Sequence, residues 1–167
     1  MIRIFLLWLL TLPCMAQTHE LQERQGFSLR KQHDSLYWLS VSDGSKANEW
    51  RLPYPVYQFQ TGDVDGDGQT DALVGVIKPT RFYREQGRRL FIFKQVNGKV
   101  RPLWLGSKLG GILEDFRFID GHIRSLETTG NGQYVVADYK WGGFGMAFDH
   151  FIITATDKET ATKYFSQ

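Results

Sequence analysis

No stretch of this chain keeps a helical apolar period over three turns, which steers it away from helical bundles and layered α/β folds. Short extended runs recur instead. Tyr37, Leu39 and Val41 alternate with Ser40 and Ser42, the pattern of a half-buried strand. Ala72–Ile77 is continuously apolar, as expected of a central strand covered on both faces. Val56–Gln60, Leu90–Phe93, Val100–Leu105, Phe116–Ile119, His122–Leu126, Tyr134–Tyr139 and Met146–Thr154 complete the set. Seventeen Gly and 14% aromatic residues suit short strands joined by tight turns. The reading is all-β: a compact twisted sheet, sandwich or barrel built from antiparallel meanders.

Two kinds of repetition run through these strands. Phe91-Ile92-Phe93 precedes Asn97-Gly98, Tyr37-Trp38-Leu39 precedes Asp43-Gly44, and Phe151-Ile152-Ile153 precedes Asp157-Lys158, all at one spacing. Asn-Gly and Asp-Gly accept the positive φ of two-residue hairpin turns, so three hairpins on one template are expected. Separately, Gly66-Asp67-Gly68-Gln69 recurs as Gly130-Asn131-Gly132-Gln133, and each copy leads into an apolar strand.

The chain opens with a targeting pattern. Arg3 is followed by a run over Ile4–Leu12 that is apolar apart from Thr11, then Pro13 and Cys14-Met15-Ala16. A charged start, an apolar stretch too short to span a bilayer and small residues at a cut site make a secretory signal over 1–16. A flexible stretch over 17–26 and one β domain over 27–167 would follow. The alternative is a lipid-bearing Cys14, which would anchor the protein. Without Cys14 the exported chain has no Cys, hence no disulfide and no Cys-based zinc site.

One motif carries chemistry. Residues 63–71 read Asp-Val-Asp-Gly-Asp-Gly-Gln-Thr-Asp. Asp63, Asp65, Asp67 and Asp71 occupy loop positions one, three, five and nine, and Gln69 can offer its backbone carbonyl. Calcium takes six to eight oxygens in a flexible cage. Carboxylates this close repel unless an ion or another partner sits among them. An EF-hand is excluded, because position twelve is Val74 within a strand rather than Glu between helices. A metal-free acidic turn is the other reading of these residues. Lying between the strand residues near Phe59 and those near Val76, the loop resembles the calcium loops of FG-GAP and VCBS repeats, the blades of integrin-α-like β-propellers. The resemblance implies calcium ligands at Asp63, Asp65, Asp67, Gln69 through its carbonyl, and Asp71. It also implies blade-like meanders, although a closed propeller needs at least four blades. At about 60 residues per unit this chain has room for two or three, giving an incomplete, propeller-like arrangement. In the second copy Glu127, Thr129, Asn131 and Val135 stand in the ligand positions, so that loop is expected to be a relic without metal.

Other chemistries find little footing. Twenty Lys+Arg against eighteen Asp+Glu leaves +2, no global field for nucleic acid. Gly-x-Ser-x-Gly is absent, and the glycines at 142–145 precede a strand. Neighbours in a strand point to opposite faces, so Asp149-His150 and Glu114-Asp115 are not expected to form working dyads. Tyr139, Trp141 and Phe144 beside glycines form a candidate sugar or peptide platform, or simply core. Arg81-Phe82-Tyr83-Arg84 and Arg88-Arg89 read as a solvated basic loop or an anionic-glycan contact. The expectation is a secreted or periplasmic, non-catalytic protein with a structural calcium ion, serving as a binding module in the bacterial envelope or outside it. The alternatives are an envelope hydrolase or its accessory subunit, and a glycan-binding module.

Overall fold

A computed structural model describes residues 20–42, 48–81, 84–106 and 109–167. The signal segment with Cys14, the Asp43-Gly44 turn, Phe82, Tyr83 and Ser107 lie outside the described residues. The described chain forms twelve strands and one helix. They are β1 (Leu21–Arg24), β2 (Phe27–His33), β3 (Leu36–Val41), β4 (Trp50–Leu52), β5 (Val56–Gly62), β6 (Asp71–Lys78), β7 (Gly87–Val96), β8 (Lys99–Leu105), β9 (Ile112–Ile119), β10 (His122–Thr128), β11 (Tyr134–Trp141), β12 (Met146–Thr156) and α1 (Lys158–Phe165). Four consecutive strands at a time pair antiparallel into three meanders, β1–β4, β5–β8 and β9–β12, none closed into a barrel. The all-β expectation therefore holds in its sandwich form.

The meanders stack as layers, and alternation along each strand shows how. On β6, Ala72, Val74 and Val76 pack with Phe27, Leu29 and Leu39 of the first sheet. Leu73, between them, faces the other way and joins Phe116, Ile123 and Tyr139 of the third. β7 divides likewise, Phe91 and Phe93 to one side, Leu90 and Ile92 to the other. The second sheet is thus the middle layer, which is why β6 is buried from Asp71 through Val76. Gly75 interrupts its apolar run for a steric reason. A Cβ there would come within 2.6 Å of the Tyr57 ring, and that ring meets Phe116 of the third sheet edge-on at 6.2 Å.

The far face of the third sheet is half covered by α1, whose Ala161 and Phe165 pack on Leu126 and Val136. This helix departs from the sequence expectation. Asp157 does not close a hairpin; it caps α1, its side chain accepting from Thr160 N at 2.9 Å. Of the three proposed hairpins, Asn97-Gly98 does join β7 to β8. Residues 21–24, within the expected flexible stretch, form β1 against β2. The recurrence of Gly66–Gln69 at Gly130–Gln133 is not a fold repeat. The first joins strands one and two of its sheet, the second strands two and three.

Candidate metal centre

The acidic loop connects β5 to β6 at the edge of the middle layer. Val64 is its apolar anchor, buried in the core between the second and third sheets. Around that anchor the backbone turns back on Asp63. Gly66 and Gly68, at φ 74° and 83°, adopt a conformation that costs other residues energy. Their N–H groups donate to Asp63 Oδ1 at 2.8 Å and Oδ2 at 2.9 Å, and Asp67 N adds a third bond at 3.1 Å.

Three of the four acids converge. One carboxylate oxygen each from Asp63, Asp65 and Asp71 lies within 4.8 Å of the others. Asp71, at the start of β6, is fully buried. Its Oδ2 accepts from Val64 N at 3.0 Å, whereas Oδ1 has no hydrogen-bond partner. Burial pushes its pKa up to about 6, with the charges of Asp65 and Asp67 adding to the rise and the Val64 N–H and Lys94 opposing it. An all-oxygen donor set with an orphaned buried oxygen fits a hard divalent cation. Asp63, Asp65 and Asp71 would hold such an ion and exchange mutual repulsion for shared coordination.

Asp67 stands apart from the three. Its Oδ2 lies 2.7 Å from Lys94 Nζ and its Oδ1 accepts from Gln69 N at 2.9 Å. The Lys94 contact, foremost, holds the Asp67 carboxyl below its ordinary pKa. Gln69 thus meets Asp67 through its N–H, with its side-chain amide 3.5 Å from Asp67 Oδ2. Lys94 also reaches Asp65 Oδ2 at 2.5 Å, and the two contacts raise its own pKa. Sequence reading missed Lys94. Its signal is one of register: β7 pairs Phe93 with Ala72, so the next residue lies alongside Asp71.

The second loop is self-contained. Thr129 N donates to Gln133 O at 2.9 Å, Gln133 N to Thr129 Oγ1 at 3.2 Å, and Asn131 Nδ2 to Gln133 Oε1 at 3.0 Å. Glu127 turns inward, accepting from Ser125 Oγ at 2.7 Å and from Gly111 N. These bonds tie the segment before β9 to β10.

A groove of about 1400 Å3 opens between the second and third sheets. Leu105, Met146, Phe148 and Phe151 line it, with Arg81 and Arg89 at its margin and Glu127 in its floor. The two Phe rings are half exposed and 4.6 Å apart. The three aromatics proposed as a platform do not share one surface. Tyr139 is buried in the groove floor, accepting from Gly110 N at 2.9 Å. Trp141 packs at the edge of the core. Phe144, 98% exposed, projects from the β11–β12 turn. In the basic segment, Arg88 is bound into the fold, its guanidinium 4.9 Å from the Tyr57 ring and donating to Glu114 O.

One dyad excluded on strand geometry does form. His150 Nδ1 lies 2.8 Å from Asp149 Oδ2. The β11–β12 register slips there: Asp138 faces His150 while Tyr139 faces Phe148, leaving Asp149 as the extra residue of a bulge. His122 Nε2 lies 3.7 Å from the same Asp149 oxygen and Lys140 Nζ 2.6 Å from Oδ1. Together these contacts, Lys140 foremost, hold the Asp149 pKa down at about 2. Glu114 is likewise the extra residue of a bulge in β9, but Asp115 turns to its own strand, Oδ1 accepting from Phe116 N at 2.9 Å. Compared with protein-family models, with curated proteins and with solved structures, the chain matches none of them.

Proposed function

We propose that this chain is an exported, non-catalytic β-protein whose middle sheet is braced by one calcium ion in an FG-GAP/VCBS-like loop. Its role would be that of a binding module in the envelope or outside the cell. The observation that carries the calcium reading is Asp71: a fully buried carboxylate with one unpartnered oxygen, beside two further carboxylates. Burying such a group without a partner is costly, and a divalent ion supplies the missing one. Among the described residues no helix is long and apolar enough to cross a membrane. The test is calorimetric titration of metal-stripped protein with calcium. One site is expected in wild type and none in Asp71→Asn. Absence of binding to wild type would reduce the loop to a hydrogen-bonded turn.

A second reading concerns what the module binds. The half-exposed Phe148 and Phe151 favour a glycan or peptide held in the groove rather than at Trp141 and Phe144. The groove gives an enzyme little support, since its buried acid, Glu127, has both oxygens engaged. Retention on immobilised oligosaccharides or peptides that Phe148→Ser abolishes would assign the groove. Retention that only Phe144→Ser abolishes would return it to the turn.

A further inference from the structure

We propose that Lys94 is a resident counter-cation that holds Asp67 outside the ligand cluster and so sets how much calcium the loop requires. This rests on the calcium reading above. The spacing of the motif places Asp67 in the ligand set, yet the acids that converge are Asp63, Asp65 and Asp71. Asp67 is instead held by the ammonium 2.7 Å from its Oδ2 and by the Gln69 N–H 2.9 Å from its Oδ1. The same ammonium sits 2.5 Å from Asp65 Oδ2, so it engages a converging ligand and the excluded acid at once. The backbone of Lys94 is fixed near the loop, because it lies on β7, where it pairs with Arg101 of β8, one residue beyond the Phe93–Ala72 pair with β6. Asp65 and Lys94 are partly sheltered, with side-chain exposures of 12% and 21%, while Asp67 lies at the exposed end of the pair, so its ion pair is open to screening by water and salt.

Two consequences follow from charge alone. Without calcium, Lys94 neutralises part of the loop's repulsion and keeps its shape. With calcium, the Asp67 Oδ2 can join the ion only by leaving the ammonium, and the like charges of ion and ammonium oppose each other across Asp65. Both effects weaken the site, so it fills where calcium is abundant, in the 0.1–1 mM range of extracellular modules, rather than at trace levels.

The experiment is calcium titration of metal-stripped wild type and Lys94→Met, followed by calorimetry and by thermal melting. Lys94→Met should bind about two- to thirtyfold more tightly, the size expected for removing two ion pairs of which one is exposed. Its melting temperature in chelator should fall below that of wild type and recover in calcium. Wild-type protein supplies a check free of folding defects: the Lys94 ammonium resonance should shift on calcium saturation as Asp67 departs. Equal affinity of the two proteins, with calcium bound by both, would make Lys94 a bystander while leaving the calcium site intact. Weaker binding by Lys94→Met would make it a support for the ligands, the reverse of the proposal. No binding by either protein would remove the calcium reading itself, and this inference with it.

Discussion

A carboxylate taken out of water needs partners for both oxygens, and Asp71 has one, the Val64 N–H at 3.0 Å. Its pKa of about 6 against an ordinary 3.8 reflects a penalty on that charge, from burial first and then from the charges of Asp65 and Asp67. The sign follows from the direction. A raised folded-state pKa makes the penalty complete above about pH 6, and falling pH relieves it towards 3.8. In chelator, wild type should therefore gain stability between pH 7 and pH 5 relative to Asp71→Asn, and Asp71→Asn should melt a few degrees higher than wild type at pH 7. In calcium the order at pH 7 reverses, because only wild type keeps the ionised ligand. Melting curves of both proteins across this range decide it, and identical pH profiles in chelator would mean that Asp71 is not strained. The acids of this loop are legible in the sequence as a spacing. That Asp71 keeps one orphaned oxygen is not, because it depends on Val64 folding into the core beside it and supplying a single N–H.

Elements show where local pattern suffices and where pairing overrides it. The strands over Ala72–Ile77, Leu90–Phe93 and Tyr134–Tyr139 are plain in the sequence, because buried or alternating apolar residues leave strands little choice. α1 is not, since its eight residues fall short of three turns. The signals it does carry are Asp157 at the cap, Glu159 in the first turn and Lys163 in the last. Asp157→Ala should release the Thr160 N–H and fray the helix from its start, exposing Leu126 and Val136. Amide exchange should accelerate throughout α1 with little change in β6, whereas unchanged exchange in α1 would show that packing alone holds it. Bulges are the other blind spot. One extra residue at Asp149 turns neighbours that strand geometry sets apart into a bonded pair, and no residue type there announces it. Close approach is a third, and it is testable at Gly75. Gly75→Ala should cost about 1–3 kcal/mol, as overpacking does, because the new methyl meets the Tyr57 ring at 2.6 Å. Chemical denaturation would measure that loss, and a neutral result would mean Tyr57 has room to retreat.

Stacking makes the acidic loop a matter for the whole molecule. The first sheet packs on one face of the second and the third on the other, so neither outer sheet buries its inward face without the middle one. Asp71 leads directly into β6, bonded on both sides by β5 and β7. An ion at the loop therefore acts on a buried strand paired on both sides, not on a surface flap. Calcium at 100 times its dissociation constant, bound to the folded state alone, adds about 2.7 kcal/mol. Amides of β6 that exchange only through global unfolding should then slow about a hundredfold, in step with the rise in stability measured by denaturant. Those of β1, whose four residues are all exposed and which pairs only with β2, should hardly respond. Calcium-dependent protection confined to residues 63–70 would mean that the ion orders a turn without bracing the stack, and exchange measured with and without chelator separates the two outcomes.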